Sequence, residues 1–478
     1  MIYYIPEYVH IYEVNKDYIA IFNALSLDIV YCLRKLIVLE NRKMIIDPSI
    51  KDIILDNEMV TVREKQAVQK IELNLKKYNL DRNKINFLYI VPTVSCNLHC
   101  TYCHIQHGKE CRKKYVMTEK TLKNGLEIFK KYSGFEGNES EIMFYGGEPF
   151  LEIGFIIKAL KIIRSYSETV KITFFTNGTL ITEEIANYLR EYNVYVIVSI
   201  DGSRNVHDVA RIYQDGSGSF EDSSRGYKKL QEKGVAVGIS LVAGTHNINS
   251  LEDEVEYLVE RFKPLDIGIS TLHLFKDAKN PNEVEMEKLT EKLQAVQKNM
   301  RNKGFYIEHL FRRIRPFVEK RIRLYDCPSC NSKLLITPWD TIGFCEAFME
   351  EEKYFYPMEQ FDLFKCDGRR DWQRRTPLIM KECYSCPAIS ICGGGCPYDA
   401  YCESGNICNK DKRRCYQSKE MIRWLCIDLF HVLQENHKIK DQNVFIPTEE
   451  ERKLLYGNIM MDENIPLQRY SKINESLG

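Results

Sequence analysis

The sequence has no long apolar segment and no bias of charge. It contains no run of about eighteen consecutive apolar residues, which excludes an obvious membrane-spanning helix. The N-terminal segment lacks a basic region followed by an apolar stretch and a small-residue cleavage site. Lysine and arginine together number 67, as do aspartate and glutamate, so the bulk charge gives no general affinity for nucleic acid or anionic lipid. We therefore expect a cytoplasmic protein that binds neither membrane nor nucleic acid.

Internal repeats and low-complexity tracts are also missing. The hydrophobic fraction of 44% and the charged fraction of 28% are those of an ordinary globular protein. A chain of 478 residues is longer than a single hydrophobic core usually supports, so the length predicts two or three domains.

Cysteine, by contrast, is abundant, with 17 residues. A reducing cytosol does not favour structural disulfides, and cysteines at short spacings there usually bind metal or carry out redox chemistry. Most of them fall into two groups, at 96–111 and 327–415. The placement of the cysteines therefore predicts metal centres in two parts of the chain.

From about residue 86 the chain alternates between strand-like and helical patterns. Apolar, β-branched runs separated by helical stretches are typical of strand–helix units around a parallel sheet. The predicted strands are 86–95, 141–145, 170–177, 194–201, 235–243 and 265–275. These predict an α/β fold with a partial (βα)6 TIM-like barrel, whose active-site groups follow the carboxyl ends of the strands.

The rest of the chain does not join this alternation. Two aromatic and β-branched runs near the N-terminus, followed by a helical stretch, predict a small α+β domain. Helix-forming residues at 276–325 would bridge the barrel to the second cysteine group, and an apolar helix with a loosely ordered polar tail would close the chain. The predicted divisions are an N-terminal domain at 1–85, the barrel at 86–310, a cysteine-rich domain at 311–425, and a C-terminal helix and tail at 426–478.

The first cysteine group places three thiols on one loop after the first predicted strand. In VSCNLHCTYC, three residues separate Cys96 from Cys100 and two separate Cys100 from Cys103. Thiolates are the usual ligands of a [4Fe–4S] cluster, and a loop with three of them leaves one iron open. The alternatives are a zinc site that recruits His99 or His104, or buried structural cysteines. Spacing and position resemble the radical S-adenosylmethionine (SAM) superfamily, which implies that the cluster binds SAM and cleaves it to a 5′-deoxyadenosyl radical.

The resemblance also implies contacts to SAM. Tyr102 would contact the adenine, and the motif of Gly146, Gly147 and Glu148 would bind the amino group. Ser199 and Asp201, at the end of the fourth strand, would hydrogen-bond the ribose or the methionine moiety. Arg211 would pair with the SAM carboxylate, although a structural or solvated charge is an equal alternative.

The second cysteine group resembles the SPASM extension of radical SAM enzymes, which carries auxiliary [4Fe–4S] clusters. Its central segment reads CYSCPAISICGGGC, with CPSC upstream. By this resemblance one quartet holds the first auxiliary cluster and another holds the second, making three [4Fe–4S] clusters in total. The first quartet is Cys327, Cys330, Cys345 and Cys396, and the second is Cys383, Cys386, Cys392 and Cys415.

The family pattern is not matched everywhere. In DTIGFC the turn before Cys345 is shorter or shifted, which leaves open whether Cys327 is a ligand or the first auxiliary cluster keeps an open site. A zinc ribbon built from the same cysteines is an alternative. The remaining cysteines have no assigned role, except that Cys32 is predicted to lie in the core; they are Cys111, Cys366, Cys402, Cys408 and Cys426.

The two patterns in this order resemble enzymes that mature peptides and proteins. The expected function is to install a crosslink, thioether or carbon–carbon, in a ribosomally made precursor peptide. The N-terminal domain lies where many such maturases bind the leader of the precursor along a sheet edge. An electron donor such as flavodoxin or ferredoxin would reduce the SAM cluster. The alternatives are an anaerobic sulfatase-maturating type of enzyme and a non-enzymatic iron–sulfur or zinc protein.

Overall fold

The computed structural model describes residues 2–62, 67–78, 84–105, 115–133, 135, 140–276, 278–349, 352–439 and 442–457. Cys111 lies outside these ranges. Within them, no helix is both long enough and apolar enough to cross a membrane.

The N-terminal region contains two antiparallel sheets and two helices. Its elements are β1 (Ile2–Tyr4), β2 (Val9–Glu13), β3 (Tyr18–Asn23), β4 (Ile29–Leu33), β5 (Ile37–Glu40), β6 (Lys43–Ile46), α1 (Lys51–Asp56) and α2 (Ala67–Lys76). Strands β1, β6 and β5 form one sheet in that order, and β4, β3 and β2 lie side by side in the other. The two aromatic runs that the sequence marked as strand-like are β2 and β3.

The predicted barrel is present, with each strand followed by helical chain. Its elements are β7 (Phe87–Ile90), α3 (Glu119–Ser133), β8 (Glu141–Phe144), α4 (Ile153–Tyr166), β9 (Lys171–Thr176), α5 (Glu183–Glu191), β10 (Tyr195–Ser199), α6 (Arg204–Ala210), α7 (Phe220–Glu232), β11 (Ala236–Ala243), α8 (Leu251–Phe262), β12 (Ile267–Thr271), α9 (Met286–Lys303) and α10 (Glu308–Val318). Neighbouring strands from β7 to β12 pair in parallel. This confirms the partial (βα)6 barrel.

The barrel strands are shorter than the apolar runs suggested. The first run, predicted as 86–95, is a strand only over Phe87–Ile90, and the last, predicted as 265–275, only over Ile267–Thr271. After β7 the backbone pairs outside the barrel sheet: Met117 N–H donates to the Pro92 carbonyl at 2.8 Å, and Thr93 forms an isolated bridge with Val116. Residues predicted as strand ends therefore lie on the loops that form the site.

Two polar residues near helix starts have different roles. The Thr182 hydroxyl accepts from Ile185 N–H and caps α5. Helix α7 begins at Phe220, and Ser223 is buried within it. Its hydroxyl donates to the Asn177 carbonyl at 2.7 Å, so this serine ties the helix to the loop after β9 rather than capping it.

The cysteine-rich region continues the barrel sheet. Its elements are β13 (Lys333–Ile336), β14 (Thr341–Gly343), β15 (Phe355–Pro357), α11 (Arg369–Gln373), α12 (Ile389–Cys392), α13 (Pro397–Ser404), α14 (Lys412–Glu435), β16 (Val444–Phe445) and α15 (Glu449–Arg452). Strand β13 pairs in parallel with β7, and β14 and β15 follow antiparallel. Within the described residues, one sheet of nine strands thus runs from β12 through β7 to β15.

The two ends of the chain pack together. Helix α14 lies against β2 and β3, and the buried Tyr31 hydroxyl donates to the Cys426 carbonyl at 2.7 Å. Strand β16 pairs with β4 through Val444 and Cys32. The expectation of a loosely ordered tail is therefore wrong for 444–456, because these residues complete the N-terminal sheet and pack beside α14. Cys32 is fully buried in the core, as predicted.

Candidate active site

A cavity opens at the carboxyl ends of the barrel strands. Its wall includes the three cysteines of the first group and polar side chains from successive strands; they are Cys96, Cys100, Cys103, Tyr102, His104, Tyr145, Gly146, Gly147, Glu148, Thr176, Asn177, Ser199, Arg211, Ser240, Ser270 and His273. All of the proposed SAM contacts except Asp201 line this cavity.

The cysteine loop is held by backbone pairing to the segment after α6. His99 N–H donates to the Ile212 carbonyl at 2.7 Å, and Thr101 N–H donates to the Ala210 carbonyl at 3.0 Å. Two donors also reach the Cys96 sulfur: Leu98 N–H at 3.4 Å and the Asn177 amide at 3.8 Å. The loop thus directs its thiols into the cavity and supplies hydrogen bonds to one of them.

The two glycines after β8 allow that strand to approach the cysteine loop. A Cβ atom on Gly147 would lie 1.9 Å from the Ser95 carbonyl oxygen, and Gly146 has φ of +129°. Glu148 N–H donates to the Ser95 carbonyl at 2.9 Å. Only glycine fits here, since the backbones of the two motifs are in direct contact.

Glu148 is fully buried behind these glycines. Its carboxylate accepts from Phe150 N–H at 3.1 Å, the Thr176 hydroxyl at 2.8 Å and Asn177 N–H at 2.8 Å. Burial raises the pKa of Glu148 to about 7 although these donors oppose the shift. A cationic amine in the cavity would therefore stabilise the ionised carboxylate.

Asp201 lies behind the wall instead of lining it. It is fully buried, forms an ion pair with Arg211 at 3.1 Å, and accepts a hydrogen bond from the Tyr102 hydroxyl. His246 stands 3.2 Å from the same carboxylate and stacks on the Tyr102 ring, with 5.7 Å between centroids. Asp201 therefore orients Tyr102 and Arg211, the two groups that do face the cavity.

The first quartet of the cysteine-rich region comes together beside the cavity. Burial raises the pKa of the Cys330 thiol well above its usual range, and the neighbouring Cys327 and Cys345 raise it further. The pKa of Cys396 is likewise raised by burial, then by Asp399 and Asp411, and also by Cys345. Cys345 thus interacts with each of the other three cysteines of the quartet.

The second quartet forms a separate group. Burial raises the pKa of Cys383 to about 12, with contributions from Cys392, Cys386 and Cys415. It raises the pKa of Cys415 to about 12 as well, with Cys392 next in effect. Cys415 lies in the first turn of α14, a helix that was expected to begin only after it.

A buried arginine ties the two quartets together. The Arg375 guanidinium donates to the carbonyls of Ile407, Asn409, Gly394 and Cys396. Gly394 belongs to the three-glycine segment between Cys392 of one quartet and Cys396 of the other. Arg375 therefore stabilises the loop that separates them.

Comparison with known proteins decides the family. A model of the radical SAM superfamily matches residues 90–258. The chain belongs to the radical SAM superfamily. It is therefore an enzyme that uses a [4Fe–4S] cluster and SAM.

Similar proteins extend the likeness beyond the barrel. The radical SAM cyclopropyl synthase TigE of Paramaledivibacter caminithermalis is 26% identical over 393 residues, covering 77% of this chain and 78% of TigE. The structure of native anSMEcpe with bound AdoMet is 18% identical with a TM-score of 0.62, covering 73% of this chain and 99% of its own. Streptococcus suis SuiB bound to the precursor peptide SuiA is 16% identical with a TM-score of 0.52, covering 86% of this chain and 99% of SuiB.

The cavity of this radical SAM enzyme fits both the [4Fe–4S] cluster and SAM. Burial raises the pKa of Cys96 to about 12 and that of Cys100 to about 11, so these thiols need a metal centre to release their protons. Glu148 and Arg211 offer opposite charges to the amino and carboxylate groups of SAM. The chemistry of the donor set is thus that of a three-cysteine cluster with SAM beside it.

Several polar residues of the site carry no signal in the sequence. Asn177 follows β9 and contacts Cys96, and His246 supports Tyr102. Lys333, at the start of β13, pairs with Glu346 at 2.5 Å and lies 4.3 Å from the centroid of the Tyr89 ring. The position of Asn177 after a barrel strand was the one available clue, since such positions face the site.

Proposed function

We propose that this radical SAM enzyme is a peptide maturase that installs a crosslink, thioether or carbon–carbon, in a ribosomally made precursor peptide. The observation that carries the proposal is the gathering of eight further cysteines into two quartets, the first of which adjoins the SAM cavity. A non-enzymatic cluster protein has no need of that cavity.

The two quartets are suited to auxiliary [4Fe–4S] clusters. Cys327, Cys330, Cys345 and Cys396 would hold the first, and Cys383, Cys386, Cys392 and Cys415 the second. Burial chiefly raises the pKa of three thiols in each quartet, Cys330, Cys345 and Cys396 in the first and Cys383, Cys386 and Cys415 in the second. Buried thiols favour the thiolate only when metal is bound. Zinc in either quartet is the alternative that metal analysis distinguishes.

The reaction removes two hydrogen atoms from the peptide. When bound, the SAM cluster and SAM supply the radical that takes the first as a hydrogen atom from carbon. The second leaves as a proton and an electron while the new bond forms to a thiol sulfur or to another carbon, and the auxiliary clusters would accept the electron. Glu148 and Arg211 would hold the two ends of the SAM amino acid moiety, and Tyr102, whose ring is fixed by Asp201 and His246, would contact the adenine.

The N-terminal region would bind the leader of the precursor. Strand β5 is an edge of the sheet β1-β6-β5, and its backbone can accept a further strand. Ile2, Ile45 and Val38 occupy one row across this sheet and are 55%, 45% and 59% exposed. An apolar row beside an open edge suits an extended peptide with alternating apolar side chains.

A charge on the apolar row tests leader binding. Val38→Asp should weaken binding of a fluorescent leader by about tenfold, since one buried aliphatic contact contributes about 1.5 kcal/mol. Val209→Asp is the matched control, because Val209 is also 59% exposed but lies on α6 of the barrel. Equal affinity of the two variants would rule out this site for the leader.

Mass spectrometry of the reaction product tests the function itself. The anaerobically reconstituted enzyme should hold about twelve irons, in three clusters of four. With SAM, a flavodoxin or ferredoxin system and a cysteine-containing precursor peptide that carries its leader, it should produce a peptide lighter by two hydrogen atoms that retains its sulfur. Oxidation of a sulfatase peptide, or a product of unchanged mass such as an epimer, would contradict the crosslink.

Two cysteine variants separate the roles of the clusters. Cys103→Ala should abolish formation of 5′-deoxyadenosine, because the SAM cluster would lose one of its three ligands. Cys392→Ala should retain deoxyadenosine formation and lose the formation of crosslinked peptide beyond one product per enzyme molecule. Full product from both variants would overturn the assignment.

A further inference from the structure

One side chain lies between the cavity and the first quartet. His273 follows β12 and lines the SAM cavity. Its Nδ1 atom lies 3.2 Å from Asp399 Oδ1 and 3.8 Å from Cys396 Sγ. Cavity wall and quartet are therefore separated by a single imidazole.

The surroundings of this ring fix its orientation. Asp399 Oδ1 also accepts from Leu274 N–H at 3.0 Å, so the carboxylate is held against the backbone beside His273. The His104 and Tyr398 rings pack edge-on, with centroids 5.0 and 5.8 Å from that of His273. Asp399 is itself buried, on the first turn of α13 directly after Cys396.

The hydrogen-bonding roles follow from the partners. A carboxylate and a thiolate both accept, so the shared Nδ1 must carry the proton and donate. A hydrogen bond to a cluster sulfur withdraws electron density from it and favours the reduced, more negative state.

We propose that His273 is a positioning residue for the metal centre that Cys396 holds: oriented by Asp399, its Nδ1–H donates to the Cys396 sulfur and raises the reduction potential of that centre. This rests on the proposed function, because it requires the first quartet to hold an auxiliary cluster. Through this hydrogen bond, a residue of the SAM cavity wall becomes part of the environment of the auxiliary cluster.

The test measures the auxiliary clusters alone. In full-length protein with Cys96, Cys100 and Cys103 replaced by Ala, redox titration monitored by EPR reports only the two quartets. His273→Ala should lower one of the two midpoint potentials by about 59 mV. For a one-electron couple this corresponds to a tenfold change in the ratio of reduced to oxidised cluster. Asp399→Asn should shift the same signal upward, because it removes a negative charge beside Cys396 and a competing acceptor for the Nδ1 proton. His273→Gln should restore part of the loss through its amide donor, and Ser270→Ala, on the same cavity wall, should shift neither.

The contrary outcomes are distinct. If neither quartet binds an iron–sulfur cluster in the three-alanine background, both the auxiliary part of the proposed function and this inference are overturned. If both clusters assemble and neither His273→Ala nor Asp399→Asn moves a potential, only this inference fails. Loss of about four irons in His273→Ala with full retention in Asp399→Asn would make the imidazole a ligand and overturn its role as a hydrogen-bond donor.

Discussion

The two quartets of the cysteine-rich region contain the same ligand type but lie in different surroundings. Carboxylates adjoin the first: after burial, Glu346, itself paired with the buried Lys333, raises the pKa of Cys345, and the buried Asp399 raises that of Cys396. Exposed lysines adjoin the second, where Lys410 and Lys419 oppose the rise that burial causes in the pKa of Cys383 and Cys386, although Asp411 adds to that of Cys415. One quartet adjoins the SAM cavity, and the other lies beside exposed lysines.

This difference suggests a direction for electron flow. Nearby negative charge lowers the reduction potential of a metal centre, and nearby positive charge raises it. Under the proposed function, a centre in the first quartet would take an electron from the cavity, and one in the second would draw it outward. Burial raises the pKa of Tyr12 in β2, and Cys386 contributes to that rise, so the second quartet adjoins the N-terminal region.

The largest expected effect comes from removing one ligand of each quartet in turn. Cys345→Ala should abolish the crosslinked peptide even in a single turnover, because the centre beside the cavity is lost. Cys386→Ala should permit one product per enzyme molecule and then stop, because the electron has no onward path. Quenched single-turnover and multiple-turnover assays would check this, with deoxyadenosine as the control for SAM cleavage. Identical behaviour of the two variants would remove the functional distinction between the quartets.

Replacing Arg375, which holds the loop between the two quartets, should have a structural effect. Arg375→Met leaves buried carbonyls of Gly394 and Cys396 without their charged donor, which should cost on the order of 3 kcal/mol of the free energy of unfolding. The denaturant concentration at the midpoint of unfolding and the iron content should both fall, with iron lost from both quartets. Arg374→Met, next in the chain and exposed, should change neither. Loss of iron from only one quartet would show that the loop does not couple them.

The smallest effect tests the charge difference itself. Lys410→Glu should lower the potential of the centre in the second quartet and leave that of the first unchanged. Because Lys410 is exposed, the shift should shrink as salt is added. Lys412→Glu, an exposed lysine two residues away, is the control. A shift of the same size in both potentials would contradict the separation of the two environments.

The strands of the barrel were predictable, whereas the extension of its sheet was not. Parallel strands buried on both faces form continuous apolar runs, which is why all six could be placed from local sequence. Strand β13 begins with Lys333 and pairs with β7, more than 240 residues earlier in the chain. The buried Lys333 depends on its ion pair with Glu346, a contact that no local pattern reports.

The candidate site divides in the same way. Cys96, Cys100, Cys103 and the glycine motif were found by spacing, and they do meet at one cavity. Asp201 was expected to contact SAM, but the structure places it behind Tyr102 and Arg211. Its position at a strand end indicated proximity to the site, but which way it faces depends on the neighbouring His246 and Arg211.

The sequence by itself determined the chemistry of the first loop, because three thiols within eight residues must share one small volume whatever the rest of the fold. The tertiary structure alone decided what surrounds the other eight cysteines. Cys392 and Cys396 are three residues apart, yet one lies with Cys383 and the other beside His273. Cys396 and His273 are 123 residues apart, so packing of the cysteine-rich region against the barrel sets that contact, and local spacing carries no record of it.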